Sequence, residues 1–224
     1  VSWRDAAAMY LRHLKIQHIK LFGDFELSFT EGDGPDAPPR MWTVIIGENG
    51  TGKSTLLQAI ALASVGQLQV NRLAGDLVTD LRDARAPNEE ATARAVFDLD
   101  PYFESHPDEL PIALPTKTPP RSVVLRSRIR LGAGQDSLRG RSYYRVKNEP
   151  LEAARAREGD PLDEARSRKM PHWFVAGYGI SRALPDVSTR PELKQPWFER
   201  LEPLFRSGQS LTSTAFANYF DKEL

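Results

Sequence analysis

Cysteine is absent from the 224 residues, which excludes disulfide scaffolds, cysteine-bound zinc, iron–sulfur clusters and thiol nucleophiles, and permits a reducing compartment. Histidine is scarce: four scattered residues suggest no metal site. Long apolar runs are missing too. The longest, Ala6 to Leu11, falls far short of the roughly 20 residues that span a bilayer, and the first residues do not read as a basic-then-apolar secretory leader. Charge of one sign is also lacking, since 30 basic residues balance 30 acidic ones, so only a local basic patch could serve nucleic acid or an anionic membrane. These absences lead to the expectation of a soluble, cytoplasmic protein with no membrane partner. With 40% of residues hydrophobic and 27% charged, the chain can bury a core in one large or two small domains.

Apolar patterning divides the chain. Leu14 to Leu21 mixes apolar and polar residues at short period and ends at Gly23-Asp24, which predicts a strand and turn. Phe25 to Phe29 alternates strictly, as an antiparallel partner would. A Gly-, Pro- and Asp-dense loop, Glu31 to Arg40, follows. Trp42-Thr43-Val44-Ile45-Ile46 is a β-branched apolar run, the pattern of a strand covered on both faces in a parallel sheet. From Ser54 the pattern becomes helical up to Gly66. Ala93 to Leu99 predicts a strand and Asp100 to Pro120 a Pro-rich connection. Ser122 to Leu131 predicts a half-buried strand, with Arg126, Arg128 and Arg130 on its outer face and Ser142 to Val146 as its hairpin partner. Asn148 to Lys169 is charged and reads as exposed helical pieces, His172 to Tyr178 as a second buried strand, and Pro196 to Leu224 as helical.

Between the Trp42–Ile46 run and the helix lies Gly47-Glu48-Asn49-Gly50-Thr51-Gly52-Lys53-Ser54, which matches G-x-x-x-x-G-K-[ST], the phosphate-binding loop called Walker A. Glycines permit positive φ, so backbone N–H groups can wrap phosphate oxygens. In this motif the lysine, Lys53, reaches the β and γ phosphates of ATP, and the serine hydroxyl, Ser54, ligates Mg²⁺. The helix that follows points its partial positive charge at the same anion. Thr55 either assists near the α phosphate or is simply a first-turn helix residue. The expected site therefore comprises residues Gly47 to Thr55.

The two-strand start together with Ile45-Ile46-Gly47-Glu48-Asn49-Gly50-Thr51-Gly52-Lys53-Ser54-Thr55-Leu56-Leu57-Gln58-Ala59-Ile60 resembles the N-terminal lobe of ABC-type ATPases of the SMC, RecF and overcoming-lysogeny-defect group. Tyr178-Gly179-Ile180-Ser181-Arg182, followed by Phe198 to Phe205, is similar to a Tyr-Gly-x-x-Arg stretch of bacterial stand-alone ATPases in that group, many linked to DNA repair or phage defence. The resemblance implies an α/β P-loop NTPase fold, an antiparallel β-part beside an incomplete parallel sheet with flanking helices. It further implies a homodimer closing over the nucleotide face, with DNA or an effector nuclease as partner. Arg182 then senses the γ phosphate or lies at the dimer face; a surface salt bridge is the plainer alternative.

The family also needs a Walker B Asp-Glu pair, a Leu-Ser-Gly-Gly-type signature and a switch histidine, none of which has a convincing copy. Ala95 to Asp100 imitates Walker B but lacks the Asp-Glu pair and alternates like an ordinary strand. Ser207-Gly208-Gln209 reads as a loop. The expectation is that residues 1–224 form the N-terminal portion of an ABC-type ATPase domain. The P-loop lies at 47–54, a charged insertion at about 148–170, and the Walker B and signature half is missing. Such a chain binds ATP but hardly turns it over. Arg126, Arg128 and Arg130 either track a DNA backbone or form a plain charged face. Tyr143 and Tyr144 read as cross-strand packing, His18 as a satisfied structural histidine, and Asp98 and Asp100 as ordinary acids. Rival readings are a non-hydrolysing nucleotide switch, a small-molecule kinase, and a DNA-binding module with a vestigial loop.

Overall fold

A computed structural model describes residues 9–34, 37–98, 123–146, 160–163, 175–177 and 201–205. Its centre is a five-stranded sheet in the order β2-β1-β3-β4-β5, formed by β1 (Tyr10–Ile19), β2 (Phe22–Ser28), β3 (Ala91–Asp98), β4 (Val123–Leu131) and β5 (Arg139–Val146). Every neighbouring pair is antiparallel. Two helices, α1 (Lys53–Ala63) and α2 (Gln67–Ala74), follow the glycine loop.

Period-two alternation sorts the sheet into two faces. On the inner face lie Leu14 and Ile16 of β1, Ala93, Ala95 and Phe97 of β3, and Leu125, Ile129 and Leu131 of β4, all buried. Helix α1 buries Leu56, Ala59, Leu62 and Ala63 and packs across β3, β4 and β1, while α2 reaches β5. A large aliphatic side chain fully buried in this way contributes about 1.5–3 kcal/mol relative to exposure.

The turn between β1 and β2 lies earlier than Gly23-Asp24. Ile19 pairs with Phe22, so Lys20 and Leu21 form the reversal, with Lys20 at φ 49 and His18 at φ 51. A distant loop holds it there: the Lys20 N–H donates to Leu81 O at 2.9 Å and the Asp83 N–H to His18 O at 3.0 Å.

The larger difference concerns Trp42 to Ile46. This segment makes no ladder pairing and is not a strand; Trp42 and Ile46 are 90% exposed and Val44 is 80% exposed. Only Ile45 packs against the core. A continuous apolar run becomes a central parallel strand only where strands pair with it on both sides and helices cover both faces. The five described strands satisfy one another in an antiparallel ladder and none pairs with it.

Parts of the charged stretch prove structural. Pro161–Asp163 is one helical turn in which Leu162 is buried. The Ser142 N–H donates to the Asp160 carboxylate at 2.8 Å, and the Leu68 N–H, in the first turn of α2, donates to both Asp163 oxygens at 3.2 Å. Exposure of the whole stretch, expected from its charge, thus fails at this turn. Val175 to Gly177 is not in a ladder, although Val175 packs against the core. Near the end of the chain, Glu202–Leu204 forms a short 3-10 turn, anchored where Gln58 Nε2 donates to Leu204 O at 2.8 Å. Arg182, the remainder of 172–178, and Ser207 to Gln209 lie outside the described residues.

Candidate phosphate-binding loop and its surroundings

Gly50 (φ 84) and Gly52 (φ 91) hold left-handed backbone, a conformation that costs a residue with a Cβ about 1–2 kcal/mol. At Gly52 space is short as well, since an added Cβ would lie 2.7 Å from Cζ of Phe22. That ring sits against a second one, Phe25, with centroids 4.9 Å apart. The first residues of β2 thus brace the loop. The motif pattern gives no hint of this support; only the fold brings residue 22 to residue 52.

Within the loop, Thr51 Oγ1 donates to Glu48 O at 2.8 Å. The Lys53 ammonium donates to Gly47 O at 2.6 Å and to Glu48 O at 2.5 Å. Lys53 is therefore folded back over the loop, and its charge sits inside the curve of backbone. Gly47 to Thr51 are exposed, as is Ser54, whereas Thr55 is buried.

Gly52 caps α1 without a side-chain hydrogen bond, and the first turn holds no acidic residue. The first N–H groups of a helix have no intrahelical acceptor, and the dipole adds partial positive charge there. The loop thus brings the Lys53 ammonium over its carbonyls beside an uncapped helix start that carries the exposed Ser54, an arrangement that suits a polyphosphate.

Other sequence candidates fall elsewhere. Asp98 of the Walker B imitation ends β3, an antiparallel inner strand, and its carboxylate accepts a buried hydrogen bond from Arg12 Nη1 at 2.9 Å. Asp100 lies outside the described residues. Among the described residues His18 is not fully satisfied, because its buried Nδ1 has no hydrogen-bond partner there. Tyr144 packs against the core as expected, but Tyr143 pairs with Arg126 on the outer face. Arg126, Arg128 and Arg130 do lie on that face, joined there by Arg94, Arg139 and Arg141. Period-two arginines at 139 and 141 were a readable signal for the last two.

Parts of this chain are similar to known proteins. A family model described as an AAA domain matches residues 13–98, which span β1 to β3 and contain the whole loop. The chain is also 34% identical over 64 residues to Septu protein PtuA of Bacillus mycoides (strain KBAB4), a match covering 29% of this chain and 9% of that protein. Over residues 13–98 the chain is similar to the AAA domains of SMC/RecF-like P-loop ATPases.

Proposed function

We propose that this chain binds ATP with Mg²⁺ through residues 47–55 and forms the nucleotide-holding part of an ATPase that acts in DNA maintenance or phage defence. One observation carries the nucleotide reading: a glycine loop in left-handed backbone holds Lys53 over its carbonyls, directly before an uncapped helix start. Lys53 would exchange its carbonyl partners for β and γ phosphate oxygens, placing its positive charge where charge builds during phosphoryl transfer to water. Backbone N–H groups from Gly50 to Thr55 would take the remaining oxygens. Ser54, exposed at the second helical position, would hold Mg²⁺, which when bound neutralises charge across the β and γ phosphates. Thr55 contributes through its backbone, since its side chain is buried.

Turnover by this chain is expected to be marginal. Asp98 is held by Arg12, and neither Asp-Glu pair of the sequence, Asp108-Glu109 or Asp163-Glu164, follows the apolar strand run of a Walker B element, whose carboxylate positions a water. Hydrolysis in the complete protein would draw that carboxylate from elsewhere and close two copies over the nucleotide face, with Arg182 at the γ phosphate or the dimer face. The exposed Trp42–Ile46 run supports this reading, as a segment able to join a parallel sheet once neighbours are supplied. DNA or an effector nuclease is the proposed object of that closure.

Titration of Mg-ATP into the chain by calorimetry tests the nucleotide site. Binding should weaken at least about tenfold in Lys53→Ala and depend on Mg²⁺ less in Ser54→Ala than in the wild type. Equal affinity in wild type and Lys53→Ala would overturn the assignment. Phosphate release near background alongside tight binding would favour the non-hydrolysing switch.

A further inference from the structure

The strand registers place charges in rows that no single strand reveals. One row crosses all five strands on the outer face: Glu26, Lys15, Arg94, Arg128, Arg141. Its neighbours bring Arg130 opposite Arg139 and Arg126 opposite Tyr143. On the β1–β2 side the cations are matched. Lys15 lies 3.4 Å from Asp24 and 3.6 Å from Glu26, and His13 Nε2 lies 2.6 Å from Glu26. On β3, β4 and β5 the described residues match them only in part. Glu90 alone serves two arginines, Arg128 at 2.9 Å and Arg130 at 3.7 Å, and Arg94, Arg139 and Arg141 are exposed with no ion pair among the described residues.

Like charges set directly opposite one another destabilise a sheet. Burial first, and then the charge of Arg145, hold the Arg126 guanidinium below its usual value, and the buried Nε atoms of Arg126 and Arg128 have no hydrogen-bond partner among the described residues. Arg94, Arg139 and Arg141 thus leave positive charge on this face that no ion pair among the described residues balances, and a bound polyanion would relieve it.

We infer that the outer face of β3, β4 and β5 is a binding surface for the phosphodiester backbone of nucleic acid. Spacing supports this choice. Arginines recur every second residue, about 6.7 Å along a strand, and adjacent strands lie about 4.8 Å apart, so the face is a lattice of cations rather than one anion pocket. A nucleic-acid strand is the matching object, a regular series of phosphates. Residue type supports it too: the cations of these strands are all arginines, whose planar fork binds phosphate oxygens in pairs. A membrane-docking face would add apolar anchors, yet among the described residues the exposed large apolar ones, Leu21, Met41, Trp42, Val44, Ile46, Leu57 and Leu68, all lie outside these strands. This deepens the DNA part of the proposed function and rests on it only there, because the arginines belong to a different surface from the phosphate loop.

The test is fluorescence anisotropy of labelled single-stranded and duplex 30-mers with the chain, from 50 to 300 mM salt. Wild type should bind at least one form with a log–log salt slope of magnitude three or more, as expected when about four phosphates are neutralised. Arg94→Gln/Arg139→Gln/Arg141→Gln should weaken binding at least about tenfold at 0.1 M salt and reduce the slope by about three. Arg40→Gln, outside these strands, should leave it unchanged. Lys53→Ala should keep DNA binding while losing ATP, so failure of the nucleotide site and failure of this surface are read separately. Should the glutamine variant not fold, the Arg→Lys triple, which keeps charge, is expected to retain the slope. A slope near zero, an unaffected glutamine variant, equal binding of poly-glutamate, or capture by phosphatidylserine vesicles but not by DNA would each overturn the proposal.

Discussion

At Gly52 two constraints meet in one residue. Its backbone is left-handed, and the Phe22 ring fills the space a Cβ would need. Gly52→Ala should therefore lose stability by about 1–3 kcal/mol and weaken ATP binding with it, measured by urea unfolding and calorimetry. Adding Phe22→Ala should recover the steric part and leave the backbone part, so a double variant no better than Gly52→Ala would sink this account. The glycine requirement was legible in the motif, because the motif encodes backbone conformation. The aromatic brace was not, since a Phe 30 residues upstream carries no mark of what it will touch. Lys53 illustrates the same limit: its identity was readable, while its present partners, the carbonyls of Gly47 and Glu48, follow from loop curvature.

Among the elements, the β1–β2 hairpin shows how tertiary contacts override a local turn signal. Gly23-Asp24 has turn chemistry, yet the chain reverses at Lys20-Leu21 because residues 81–83 supply hydrogen bonds to His18 and Lys20. Asp83 secures that loop. Its buried carboxylate accepts from the Arg85 side chain at 2.8 and 2.9 Å and from the Arg85 backbone N–H at 2.9 Å, and these bonds lower its pKa from 3.8 to about 2. A carboxylate depressed on folding adds stability above its unfolded pKa and loses it as pH falls through the folded value. Wild type should thus be more stable than Asp83→Asn at pH 5, with the gap closing between about pH 4 and pH 2. Urea midpoints of both proteins across that range would show it, and a gap independent of pH would contradict it. The helices were easier to read. A glycine before Lys53 and the apolar spacing from Leu56 to Ala63 suffice for α1, whereas α2 needs Asp163 at its first turn, from a segment whose charge suggested full exposure.

For the whole molecule the decisive feature is the Trp42–Ile46 run, apolar by sequence and exposed in the fold. Because these side chains touch so little, Trp42→Ser and Ile46→Ser should change the stability of this chain by no more than about 0.5 kcal/mol. Ile16→Ala, in the core at 0% exposure, should cost about 2–5 kcal/mol. Comparable losses at all three sites, by denaturant midpoint, would mean that the run is buried in solution. By itself the sequence determined the features that depend on local chemistry: the glycine loop in left-handed backbone, the helix behind it, the alternation of β3 and β4, and the α/β class. Each rests on backbone conformation or on a period of two or 3.6, and neither needs a partner to be read. Only the tertiary structure decided which strands pair, that all the pairings are antiparallel, that 42–46 stays outside them, and that arginines from three strands share one face, because register and burial depend on which distant segments come to lie alongside.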